Sequence, residues 1–239
     1  MFFNRRNKAL IDESVKNQID DCFAIIEEFV SIESLMVKET VLPTRDFFKQ
    51  KYDGKREDGI YIFQRVCFFM DIDPNEIIFD FYSEKNNVEL SSGLMPVLEE
   101  DQNTTLTNYI EYDNGDVEIL VEEHALLDPL NLIALISHEI GQYKLRKKFN
   151  YLEEDHVLGI FSANQSSVEM KTWSNGGYSG WEMNGGNSYL SSLSFGYALA
   201  YYSHLKNDFS NNNWKKYLNK DILKNYKKGF KQYFQNEQK

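Results

Sequence analysis

His138, Glu139 and Gln142 are the residues of this chain whose types and spacing come nearest to a reactive site. They close the apolar run that begins at Asp128-Pro129 and continues from Leu130 to Ile136. A His-Glu pair with a second histidine four residues after the first puts two imidazoles on one face of a helix. There they bind zinc, and the glutamate acts as general base on the metal-bound water. In this chain the second ligand position holds Gln142, whose amide oxygen is a poor zinc ligand beside an imidazole. A catalytic zinc needs three protein ligands and an open position for water. The other histidines are His124, His156 and His204.

Glu153, Glu154, Asp155 and His156 follow at a separation that suits a third ligand delivered by the next helix. Three readings stay open. In the first, His138, Gln142 and Asp155 or His156 hold zinc and Glu139 activates water for hydrolysis. In the second, His138-Glu139 is a hydrogen-bonded core pair, the acidic cluster is a solvated helix start stabilised by the dipole, and no cofactor is bound. In the third, a metal is bound structurally without turnover. Gln142 favours the second.

Other reactive arrangements are weaker. Ser137 and His138 are adjacent on a helix and point apart, and no nucleophile elbow or phosphate-binding loop is present. Cys22 and Cys67 sit in apolar helical segments without a Cys-x-x-Cys pair, which implies free buried thiols in a reducing compartment. Residues 171–188 are rich in Gly, Asn and Ser and read as a loop. Its Trp173, Tyr178 and Trp181 would either line a binding loop or anchor the loop to the surface.

The central helix is predicted over 129–147, with Asp128 as N-cap, Pro129 in the first position, and Lys144, Arg146, Lys147 and Lys148 complementing the dipole at its end. Upstream, apolar steps of three and four predict helices over 9–31 and 57–70. Tyr52-Asp53-Gly54 marks a turn, and Thr44 is a candidate cap for a short turn pinned by Phe47 and Phe48. Residues 76–82 read as a strand, 84–105 as loop, and 108–112 with 116–121 as a hairpin turning at Asn114-Gly115. Downstream, helices are predicted over 151–163, from Ser188 to about 205, and over 220–234, with a polar loop at 207–213. Gly196, Ala198 and Ala200 would permit close helix packing.

The fold class that follows is α+β: helices on a small antiparallel sheet, in a single domain over 1–239. Its strand-bearing part spans about 1–125, and a helical part built around the central helix spans about 126–239.

With 239 residues, 42% hydrophobic and 15% aromatic, the chain can bury a substantial core. Its net charge of −11 disfavours nucleic acid and anionic membranes and suits a basic protein partner. No segment reaches the roughly 18 apolar residues of a membrane span, and the N-terminus lacks an apolar leader, so a cytoplasmic location is expected.

A set of ordered motifs adds a resemblance. These are Val41-Leu42-Pro43-Thr44 with Phe47-Phe48, Tyr52-Asp53-Gly54, Arg65-Val66-Cys67, Asp73-Pro74, and Asp128-Pro129 leading to His138-Glu139. Glu154-Asp155-His156, Gly159-Ile160-Phe161-Ser162-Ala163-Asn164, Gly186 with Tyr189-Leu190-Ser191, and Phe195-Gly196-Tyr197-Ala198-Leu199-Ala200 continue it. Together they resemble an uncharacterised bacterial family of zinc-peptidase-like proteins bearing a His-Glu-x-x-His motif. Intact members of that family carry histidine where Gln142 stands. They also have a longer segment after the Asp-His pair, with a Glu-x-x-x-Asp pattern similar to the third-ligand helix of gluzincins. Here Val157 follows His156 directly and Gly159-Ile160-Phe161 arrives early. The resemblance therefore implies the fold and the His138-Glu139 pair without the activity. It points to a pseudo-peptidase kept for binding another protein, in an interaction or immunity-type role.

Overall fold

The computed structural model describes residues 13–29, 37, 39–83, 106–149, 169–175, 178–184, 191–206 and 213–237. The loop expected over 84–105 and the helix expected over 151–163, with Asp155 and His156, lie outside them. The chain forms two compact units, residues 48–152 and residues 1–47 with 153–239. The strands and the central helix, which the sequence reading places on either side of about residue 125, belong to one unit. The class is α+β, as expected.

In the 48–152 unit, α2 (Arg56–Phe69) precedes strand β1 (Ile77–Tyr82). Strands β2 (Thr107–Glu111) and β3 (Val117–Glu122) lead through a 3-10 turn, Glu123–Leu127, into α3 (Pro129–Phe149). The sheet order is β1-β3-β2. Strand β3 pairs antiparallel with β2, as the hairpin signal predicts, and parallel with β1. The sheet is therefore mixed and not antiparallel. Apolar alternation identifies a half-buried strand but is the same for either direction, which is why the sequence leaves the β1 polarity open.

The register decides which side chains meet the helices. Val117, Ile119 and Val121 are buried and alternate along β3. They align with Ile77, Phe79 and Phe81 on β1 and with Glu111, Tyr109 and Thr107 on β2, so all nine share one face. Helix α2 covers the β1 end of this face. Phe63 stacks on Phe79 with centroids 4.2 Å apart, and a Cβ on Gly59 would lie 2.4 Å from Cζ of Phe81. Gly59 thus leaves room for the Phe81 ring to lie against the helix backbone.

Two local signals resolve differently from their sequence reading. In the β2–β3 turn, Tyr112 N–H bonds Asp116 O at 2.9 Å and Gly115 has φ of 87°, while Asn114 keeps a negative φ. The loop is therefore three residues long, with only the glycine left-handed. Thr44 accepts Phe47 N–H through its carbonyl at 3.2 Å, while its hydroxyl meets no hydrogen-bond partner among the described residues.

The other unit packs α1 (Glu13–Phe29), α4 (Ser192–Leu205) and α5 (Lys220–Glu237) around Ile19, Phe23, Phe195, Tyr197, Ile222 and Tyr226. Helix α4 starts at Ser192, not Ser188, because Ser191 accepts Ser194 N–H as its N-cap at 3.1 Å. A Cβ on Gly196 would come 2.7 Å from Tyr226 N, and one on Gly229 would come 3.1 Å from Tyr197 Cα. The two glycines let α4 and α5 cross backbone to backbone. Strands β4 (Glu169–Asn175) and β5 (Tyr178–Asn184) form an antiparallel ribbon where the sequence reading has a loop. Two runs separated by Gly176-Gly177 were a hairpin signal, masked by the high Gly, Ser and Asn content.

Candidate functional site

Helix α3 begins where its sequence places it. Asp128 Oδ1 accepts the N–H groups of Leu130 and Asn131 at 3.0 and 3.2 Å, and Pro129 occupies the first turn. Leu132, Ile133, Ile136 and Ile140 are buried, which fixes the rotation of the helix against its unit. That rotation turns Glu139 inward, to 3% exposure, and leaves His138 and Gln142 half-buried.

His138 and Gln142 lie one turn apart on the same face and touch: Nε2 of the glutamine is 2.9 Å from Nε2 of the histidine. An amide nitrogen only donates, so in this arrangement the imidazole Nε2 accepts and a neutral ring carries its proton on Nδ1. Glu139 Oε1 accepts the hydroxyl of Thr107 at 2.6 Å. Thr107 is the first residue of β2 and belongs to the strand face that meets the helix.

The contact continues along β2 and α3 in matched steps. Tyr109 carries the guanidinium of Arg146 over its ring at 4.8 Å, and Glu111 binds the same Arg146 at 2.6 Å. Burial pushes the Tyr109 hydroxyl up to about 12; the Arg146 charge opposes this, and the Glu111 and Glu139 carboxylates add to it. Three alternate strand positions thus read out positions 139 to 146 of the helix. Of the β2 partners, Thr107 falls outside the strand read from the sequence at 108–112, which starts one residue late, whereas Tyr109 and Glu111 fall within it. The signal was present in the alternation Thr107, Tyr109, Glu111, which matches the buried residues of β3 in pairing register.

The basic end of α3 is also paired within its unit. Lys144 Nζ donates to the carbonyl of Met70 at 2.6 Å, and Lys147 Nζ donates to Glu76 at 2.6 Å. Glu76 also accepts the Tyr143 hydroxyl at 2.9 Å, and the lysine and tyrosine together hold its carboxyl below the usual range.

A second buried carboxylate, unremarked in the sequence, lies at the start of α2. Asp58 accepts the N–H groups of Asp53 and Lys55 at 2.8 and 3.1 Å and the amide of Gln50 at 3.1 Å. These donors favour the ionised carboxylate and hold its pKa below the usual range. It ties the Tyr52-Asp53-Gly54 turn to the helix, where Gly54 takes φ of 77° and Tyr52 donates to Leu126 O at 2.7 Å. Asp58 is structural. Cys67 is buried and free, and burial pushes its thiol up to about 12, which makes it unreactive.

Of the residues proposed as ligands, the structure brings His138 and Gln142 together. Asp155 and His156 lie outside the described residues. Among the described residues no group of three or more His, Cys, Asp or Glu side chains could hold a metal ion. Among the described residues the motif offers one imidazole, with an amide N–H against its Nε2. Trp173 pairs across the ribbon with Gly180, Trp181 with Thr172 and Tyr178 with Asn175, so the proposed binding loop has a strand backbone. No helix among the described residues is long and apolar enough to cross a membrane.

Comparison of the chain with models of known families, with curated proteins and with solved structures finds no match.

Proposed function

We propose that this chain is a non-catalytic, zinc-peptidase-like protein that works by binding another protein, in an immunity-type role in the bacterial cytoplasm. The observation that carries the non-catalytic half is the 2.9 Å contact between Gln142 Nε2 and His138 Nε2. It sets a hydrogen-bond donor on the lone pair with which an imidazole would bind a metal, so loading zinc there requires breaking it. Glu139 supports the same reading. A general base must reach a water at the reacting centre, and this carboxylate is 3% exposed and takes the Thr107 hydroxyl. A protein that keeps such a helix without its reaction retains it as the core that holds a binding surface in shape. The binding half rests on that reasoning and on the resemblance.

Metal content tests the reading. Protein purified without an affinity tag should hold far less than one zinc per chain, and a chelator should leave its melting temperature unchanged. Stoichiometric zinc that disappears in His138→Ala, or hydrolysis of a peptide substrate abolished by Glu139→Gln, would establish the zinc hydrolase instead. The binding half is tested by co-expression with the products of adjoining genes. The complex should survive His138→Ala and Glu139→Gln, since the pair lies in the core and not at the interface.

A further inference from the structure

Charge is distributed unevenly along the chain. Residues 213–239 hold eight lysines against Asp221 and Glu237, a net charge of +6 within a chain whose total is −11. Helix α5 sorts these lysines by face. Ile222, Tyr226 and Gly229 are buried toward α4, whereas Lys220, Lys224, Lys227 and Lys231 are exposed. Their spacing of four, three and four residues makes one stripe, about 16 Å long at 1.5 Å per residue.

Ion pairs among the described residues join Lys16 with Asp20, Lys51 with Asp53, Arg56 with Glu123, Arg146 with Glu111 and Lys147 with Glu76. None of the four stripe lysines makes an ion pair among the described residues. Four like charges one turn apart, with no counterion among the described residues, raise the energy of the free helix by mutual repulsion. A bound polyanion would relieve that repulsion.

We infer that the lysine face of α5 is a docking surface for an acidic protein segment, an inference that rests on the proposed binding role. The chemistry separates this partner from other polyanions. The stripe contains no arginine, so it lacks the planar fork that favours phosphate. Among the described residues near the stripe, Trp214 and Tyr226 are buried and Tyr217 and Phe230 are half-buried against the core, so none offers a fully exposed ring for bases to stack on. The apolar side of α5 is committed to the core, so the helix has no free face to insert into a lipid surface. Carboxylates recurring every three or four residues on a partner helix would meet the stripe in register, and the recognition would be screened by salt.

The full-length chain should bind a fluorescein-labelled, glutamate-rich helical 20-residue peptide, with affinity falling at least tenfold between 50 and 500 mM salt, where the Debye length shortens roughly threefold. Replacing Lys220, Lys224, Lys227 and Lys231 by glutamine should weaken binding at least tenfold at low salt. A variant of equal net charge, with Arg45, Lys49, Lys51 and Lys55 replaced by glutamine, should bind within twofold of the wild type. All eight positions are exposed, and circular dichroism with a melting curve confirms that each variant is folded. No binding, or equal loss in both variants, would overturn the inference. Tighter binding of duplex DNA or phosphatidylserine vesicles than of the peptide would reassign the face and overturn it too. The zinc content of the α5 variant is measured alongside, so that failure of this surface and failure of the non-catalytic reading register separately.

Discussion

At the scale of single residues, the chain departs from a His-Glu-x-x-His zinc motif at Gln142. In the helix its amide does what a second imidazole could not do while binding metal, which is to donate to His138 Nε2. Gln142→His should therefore leave the protein inactive toward peptide substrates, because two imidazoles still lack a third ligand. Recovery of activity in an unstructured-peptide cleavage assay would refute the proposed loss of that ligand. Thr107 and Glu139 form the other contact of the motif, and Thr107→Val removes a donor from a buried carboxylate. That change should destabilise the protein by about 1–3 kcal/mol in urea unfolding. Glu139→Gln, which keeps an acceptor for the Thr107 hydroxyl, should cost less. Asp58 gives a pH signature. Its folded-state pKa is lowered by its backbone donors, so its contribution is present above the unfolded value near 4 and is lost as pH falls through the lower folded value. Between about pH 5 and 3 the wild type should lose more stability than Asp58→Asn. Equal slopes would show that the carboxylate is not preferentially ionised in the fold.

At the scale of elements, the termini and crossings of helices make specific demands. Helix α2 ends with Ile72 N–H bonded to Cys67 O at 3.0 Å and Asp71 N–H to Phe68 O at 3.4 Å, and Asp71 takes φ of 56°. This is a left-handed helix stop filled by a residue with a Cβ. Asp71→Gly should stabilise the protein by about 0.5–1 kcal/mol, visible as a higher urea midpoint at unchanged slope. At the α4–α5 crossing, Gly196→Ala drives a methyl toward Tyr226 N and Asn225 and should destabilise by about 1–3 kcal/mol. The sequence carried much of this level. The N-cap and first-turn proline of α3, the extents of α2 and β1, the β2–β3 pairing and the small residues of α4 were readable, because each rests on local chemistry. The parallel pairing of β1 with β3 was not readable, since alternation fixes which face of a strand is buried and leaves its direction free. Thr107 was lost through a one-residue slip at the strand start, which removes the partner of Glu139 from view. The β4–β5 ribbon was hidden because its composition is that of a loop while its Gly176-Gly177 spacing is that of a hairpin.

At the scale of the whole molecule, two compact units carry different parts of the argument. The 48–152 unit holds His138, Glu139 and Gln142, with Glu139 bonded to Thr107 of the sheet and Gln142 to His138. The other unit holds α5, whose apolar side is spent on its own core and whose lysine side is exposed. The central claim is that His138 is a hydrogen-bond acceptor in a metal-free core. The most direct measurement is a nitrogen-resolved NMR spectrum of the His138 ring, recorded before and after one equivalent of zinc. The account expects a neutral ring protonated at Nδ1, with Nε2 accepting a hydrogen bond that Gln142→Ala abolishes, and no shift when zinc is added. A ring protonated at Nε2, or a stoichiometric zinc-induced shift of the His138 nitrogens, would contradict it.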